Sequence, residues 1–196
     1  MTSVLITAFD GYDRWHSNAS WLGLIEFAKS LPAAPQITTR LYPVDFEQVK
    51  QRLADDLAGE FDVALHLGQA PGAGRIHLES IGVNVAGHSH LSPDQFGTLI
   101  DGGPVAYRTT LPLHDWAGRL RAAGIPAQVS YHAGTYLCNA TMYLSHHLAR
   151  QMDLKTQAAF IHVPLAMSQV IAGRDDLPFL PSAAVARALH LIAEQL

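Results

Sequence analysis

Three residues of this chain have the chemistry to break an amide bond between them: a lone cysteine, a histidine closing an apolar run, and a carboxylate inside another such run. Cys138 lies in Ala133-Gly134-Thr135-Tyr136-Leu137-Cys138-Asn139-Ala140, where Gly134 predicts a turn that opens a helix. Unpaired N–H groups at a helix start favour the thiolate, the nucleophilic form of cysteine. The same side chain serves equally well as a small buried apolar group, and local context does not separate the two. His162 ends Ala159-Phe160-Ile161-His162-Val163 just before Pro164, and supplies a base for a thiol. Glu79 sits in Ile76-His77-Leu78-Glu79-Ser80-Ile81. A carboxylate there is costly unless paired, and a histidine would pair it. Alternation along a strand also lets Glu79 face water, and spacing alone favours that solvated reading. Asn84 and Asn139 are weaker candidates for orienting an imidazole.

Other polar clusters carry less. His88-Ser89-His90 and His146-His147 lack the spacing of metal ligands, and adjacent histidines on a helix point to different faces, so no metal is expected. The stretch from Gly68 to Gly74 lacks the Gly-Lys-Ser/Thr ending of a phosphate loop and leads toward a strand rather than a helix.

The elements that must position these residues follow from the apolar pattern. Strands are predicted over 4–9, 36–42, 61–68, 75–85, 127–131 and 157–163, and helices over 18–31, 45–57, 112–123, 137–150 and 182–196. The segment 86–104, rich in glycine and proline, reads as a long loop that shapes or covers a site. Alternating strands and helices predict an α/β domain with a largely parallel sheet, whose sites form at the carboxyl ends of strands. Phe9, Gly68 and His162 fall near such ends.

The length of 196 residues fits one domain over 1–196, and 48% hydrophobic with 15% charged residues marks a chain that packs a core. One cysteine excludes an intramolecular disulfide and suits a reducing compartment, so the cytoplasm is expected. A net charge of −4 without a Lys/Arg cluster gives no footprint for nucleic acid. The first apolar run reads as a strand rather than a signal peptide and none reaches bilayer length, so no membrane association is expected.

Four ordered blocks resemble the pyroglutamyl-peptidase I family, the pyrrolidone-carboxylate peptidases. These are Thr7-Ala8-Phe9-Asp10-Gly11-Tyr12 with Asn18; His66-Leu67-Gly68-Gln69-Ala70 leading to Leu78-Glu79 and Val83-Asn84; Ala106–Pro112 followed by the Cys138 segment; and Phe160-Ile161-His162-Val163-Pro164 with Gln169. The resemblance implies a three-layer α/β/α sandwich with a mixed, largely parallel sheet, no metal or organic cofactor, and dimeric or tetrameric assembly. It implies Cys138 as nucleophile, His162 as general base then acid, and Glu79 as the group orienting His162. It also implies that peptides with an N-terminal pyroglutamate are cut after that residue through a thioester. Phe9, Tyr12, Asn18, Gln69, Tyr136 and Leu137 match the positions that hold the lactam, with Gln69 able to offer both donor and acceptor.

The chain departs from the family pattern in places. Asp13-Arg14 stands where the family writes two glycines, Tyr12 replaces a phenylalanine, and Ser89 marks the place of a loop arginine, whose role would pass to Arg75, His88 or His90. Two other readings stay open on the sequence: a lactam-binding relative of weak activity, and a cysteine amidase of different substrate range on the same scaffold.

Overall fold

The computed structural model describes residues 1–88, 91–173 and 176–196. Six strands form the central sheet: β1 (Ser3–Phe9), β2 (Gln36–Tyr42), β3 (Val63–Gln69), β4 (Ile76–Glu79), β7 (Ala127–Ser130) and β8 (Gln157–Val163). Their order is β2-β1-β3-β8-β4-β7, parallel at every step except β8–β4. Two further strands, β5 (Ile81–Val83) and β6 (Ala106–Arg108), make a separate antiparallel ribbon.

The described residues form six helices, α1 (Ala19–Ala28), α2 (Phe46–Leu57), α3 (Leu113–Ala122), α4 (Leu137–Gln151), α5 (Met167–Gly173) and α6 (Ser182–Ala193). Side chains alternate across each strand, so β1, β2, β3 and β8 feed two cores, whereas β4 and β7 give apolar side chains to one only. Val4, Ile6, Leu65, Ile161 and Leu78 join Leu24, Trp116, Leu120 and Leu189 of α1, α3 and α6 on one face. Leu5, Ala64, Ala158 and Phe160 join Leu53, Leu57, Met142 and Tyr143 of α2 and α4 on the other. This is the three-layer α/β/α sandwich with a mixed, mostly parallel sheet that the sequence predicts.

Capping explains where helices begin. Asn18 Oδ1 accepts the Ser20 N–H at 3.0 Å to open α1, and Asp45 Oδ1 accepts the Gln48 N–H at 2.9 Å to open α2, each worth about 1 kcal/mol. The first helix stops at Ala28 instead of reaching residue 31, since Leu31 precedes Pro32, which disfavours helical backbone, and Leu31 is exposed.

The predicted strand 75–85 is not continuous. It divides at Ser80, whose N–H reaches the Ser130 carbonyl at 2.7 Å while its carbonyl takes the Thr109 N–H at 3.0 Å. Beyond that point Asn139 on α4 holds β5: it accepts the Val83 N–H at 2.8 Å and donates to the Val83 and Val85 carbonyls at 2.9 and 3.0 Å. Strands β5 and β6 and helix α5 are too short to leave a periodic pattern in the sequence.

The described part of 86–104 is largely irregular, with one 3₁₀ turn, Pro93–Gln95. It is anchored by Asn84, which accepts the Leu99 and Ile100 N–H groups, both at 2.9 Å, and donates to the Ile100 carbonyl at 2.7 Å. Asn84 and Asn139 are therefore spent on backbone, which corrects their reading as imidazole-orienting amides.

Candidate active site

Two adjacent strands face α4 with His66 and Gly68 on β3 opposite Phe160 and His162 on β8. His66 docks the helix: its ring nitrogens pair with Thr7 Oγ1 at 2.8 Å and Ser145 Oγ at 2.7 Å. Ser145 lies two turns along α4 from Cys138, the second residue of that helix. Gly134, at φ 80°, turns the chain into the helix, a backbone conformation that glycine adopts without strain.

Gly68 makes room for the sulfur. A Cβ at that position would lie 2.9 Å from Cys138 Sγ and 2.6 Å from the Phe160 ring, closer than packed atoms tolerate. The sequence marks Gly68 as a strand end. Its second property, the missing side chain opposite His162, emerges only from the register of β3 with β8.

His162 hydrogen-bonds Cys138 and pairs through Nδ1 with Glu79 Oε1 at 2.8 Å, which leaves Nε2 for the sulfur. Glu79 is 1% exposed on β4, an interior strand between β8 and β7. The water-facing reading of Glu79 is thus corrected: β4 has neighbours on both sides, and the carboxylate faces the α4 side of the sheet beside His162. Burial alone would lower the His162 pKa, but the charge of Cys138 and its hydrogen bond, followed by those of Glu79, outweigh it and raise it from 6.5 to about 10. These partners favour the protonated imidazole.

Beside the sulfur is a small pocket of about 40 Å³ lined by Phe9, Tyr12, Asn18, Val44, Gly68, Gln69, Tyr136, Leu137 and Cys138. All six of the proposed substrate residues thus share one cavity with the nucleophile candidate. Asn18 contributes shape rather than free polar groups, since Oδ1 caps α1 and Nδ2 donates to the Asp10 carbonyl at 3.1 Å. Burial, reinforced by the nearby Cys138, pushes the Tyr12 hydroxyl up to about 12, while the Gln69 amide beside it draws the other way. Outside this pocket lies an open groove of about 700 Å³ bounded by Asp10, Asp13, Pro43 and His88. The His88 ring lies tilted against Tyr136, with centroids 3.8 Å apart. Arg75 is exposed and reaches Gln128 at 3.5 Å. Ser89 and His90 lie outside the described residues.

A family model described as pyroglutamyl peptidase matches residues 2–196. The pyrrolidone-carboxylate peptidase of Clavibacter michiganensis is 35% identical over 199 residues, covering 98% of this chain and 91% of its own. That of Pyrococcus furiosus is 38% identical over 152 residues, covering 73% of this chain and 72% of its own. The crystal structure of the pyrrolidone carboxyl peptidase from Fervidobacterium islandicum superposes with a TM-score of 0.92 at 30% identity, over 100% of this chain and 98% of that one.

Proposed function

This chain belongs to the pyroglutamyl peptidase family, and from that premise we propose that it is a cysteine exopeptidase removing N-terminal pyroglutamate from peptides, with Cys138, His162 and Glu79 as its catalytic group. The observation that carries the reading is one line of contacts, sulfur to imidazole to buried carboxylate, beside a small, largely apolar pocket.

The lactam is a flat neutral ring, and Phe9, Tyr12 and Tyr136 give it aromatic surface. A free amino terminus would have to bury an unpaired ammonium there, so ordinary N-termini are expected to be rejected. The Cys138 thiolate attacks the pyroglutamyl carbonyl carbon, forming the S–C bond and an oxyanion that the N–H groups at the start of α4 stabilise. His162 gives its proton to the departing nitrogen as the C–N bond breaks, leaving a thioester. Water then attacks that carbonyl, passes a proton back through His162, and releases pyroglutamate with the thiolate restored. Glu79 holds Nδ1 throughout and stabilises the imidazolium.

The same proposal takes residues 1–196 as one catalytic domain, places it in the cytoplasm, where a partly exposed lone thiol stays reduced, and has it assemble as a homo-oligomer, as the family resemblance implies. No described helix is long and apolar enough to cross a membrane.

Release of aminocoumarin from its pyroglutamyl amide under reducing conditions tests the assignment, with Cys138→Ala and the free glutamyl amide as controls. Turnover that needs both the thiol and the lactam is expected. A folded protein without turnover would be sorted by alkylation: fast labelling of Cys138 points to an amidase of other range, slow labelling to a binding protein.

A further inference from the structure

The Gln69 amide is asymmetrically used. Its oxygen accepts two hydrogen bonds, from the Ala19 backbone N–H at 2.8 Å and from Gln169 Nε2 at 2.7 Å. Its nitrogen is buried, and the one acceptor beside it is the Tyr12 hydroxyl, at the pocket that Gln69 and Tyr12 line together with Cys138. The sequence alone credits Gln69 with both donor and acceptor for a ligand; the structure leaves the donor.

Amide oxygen and nitrogen have nearly the same shape, so the orientation must be read from partners whose roles cannot change. A backbone N–H such as that of Ala19 only donates. Gln169, on α5, is itself fixed by two backbone groups: its Oε1 accepts the Ala166 N–H at 2.8 Å and its Nε2 donates to the Ser17 carbonyl at 2.7 Å. The remaining N–H of Gln169 can meet only an acceptor at Gln69. Turned over, Gln69 would set its NH2 against two donors at once.

We infer that Gln169 is a positioning residue: it locks the Gln69 amide so that the pocket presents an N–H donor, and this selects acyl groups whose ring carries a carbonyl acceptor. The inference rests on the pyroglutamyl reading of this pocket and adds to it the residue that fixes its polarity. The amide nitrogen carries two N–H groups; Tyr12 can take one, the other is costly to leave buried without an acceptor, and a ring carbonyl is the group that satisfies it. A prolyl ring, which has a CH2 at that place, leaves the donor unpaired. Gln169 touches no reacting atom, so its effect falls on binding rather than on bond breaking.

Two readouts test this on the full-length protein: KM and kcat with the pyroglutamyl aminocoumarin amide, and the concentration of 2-pyrrolidone that protects Cys138 from iodoacetamide. Gln169→Met removes the lock; KM and the protection constant are expected to rise together by about tenfold while kcat stays within about threefold. Gln169→Glu places an acceptor where the donor was, draws the Gln69 NH2 away from the pocket, and is expected to raise both further. Gln69→Glu keeps the two bonds on its oxygen, and so the fold, yet offers no donor at pH 8; its protection constant also rises by about tenfold or more. Wild-type protection constants in Gln169→Met or in Gln69→Glu overturn the inference, as does a loss confined to kcat. A wild type protected by pyrrolidone that does not cut the amide sinks the peptidase reading alone, and the variants' protection constants still decide the role of Gln169. A wild type that pyrrolidone does not protect sinks both.

Discussion

Two histidines on neighbouring strands, His66 fully buried and His162 partly buried, behave in opposite ways. The Phe160 ring lies between them, with centroids 6.5 Å from His66 and 4.8 Å from His162. His66 meets two hydroxyls, and burial, helped by the neighbouring His146, lowers its pKa to about 3. His162 meets a sulfur and a carboxylate, and its pKa rises to about 10. Burial opposes charge at both sites. What differs is whether the partners are neutral dipoles, which serve an uncharged imidazole, or anions, which hold a proton on it. The neutral site docks α4; the charged one acts at the helix start.

The comparison breaks most sharply at Glu79. Glu79→Gln keeps the shape but removes an anion, and kcat is expected to fall about 10²–10⁴-fold with KM changed far less. Because Glu79 helps raise the His162 pKa, the alkaline limb of the pH–rate profile is expected to lie at lower pH in this variant than in the wild type. An unchanged rate and limb in this variant would remove Glu79 from the mechanism.

A second effect belongs to His66. The unfolded chain takes up a proton near the ordinary imidazole pKa of about 6.5, whereas the folded one resists until about 3. The unfolded state therefore binds more protons in this window, and stability falls as pH drops from about 6.5 toward 3, by several kcal/mol in all. His146, held by burial at about 4, adds in the same direction. Thermal melts of the wild type and His66→Gln between pH 7 and 4 should show a shallower decline in the variant; parallel declines would place the acid sensitivity elsewhere.

Gly68→Ala tests the junction of the two sites. Its methyl would press on Cys138 Sγ and the Phe160 ring, with an expected loss of about 1–3 kcal/mol in stability and a tenfold or larger fall in turnover. Normal activity would mean that the sulfur has room to move. The smallest change expected is that of Ser145→Ala, which removes a hydrogen-bond partner of His66 and costs about 1–2 kcal/mol in chemical denaturation, with little effect on rate.

Much of this molecule is legible from the order of residues. The strands Gln36–Tyr42 and Gln157–Val163 coincide with their predicted ranges, because both are rich in β-branched and aromatic residues and are bounded by Pro35 and Pro43 in the first case and by Pro164 in the second. Helices α2 and α4 start where Asp45 and the Gly134 turn place them. Resemblance, rather than periodicity, singled out Glu79, since strand alternation makes no distinction between a carboxylate facing water and one facing a histidine. Gln169 was visible only as a match to a block, with no sign of the amide it holds.

The sequence by itself determined which local elements form and which reactive groups exist, because propensity, capping and apolar period act over a few residues. Tertiary structure decided the charge on each histidine, the space Gly68 leaves for a sulfur, the break at Ser80 and the direction of the Gln69 amide. Each of these depends on atoms brought together from distant strands and helices. Electrostatics and close packing are set by those distances in space, and separation along the chain does not encode them.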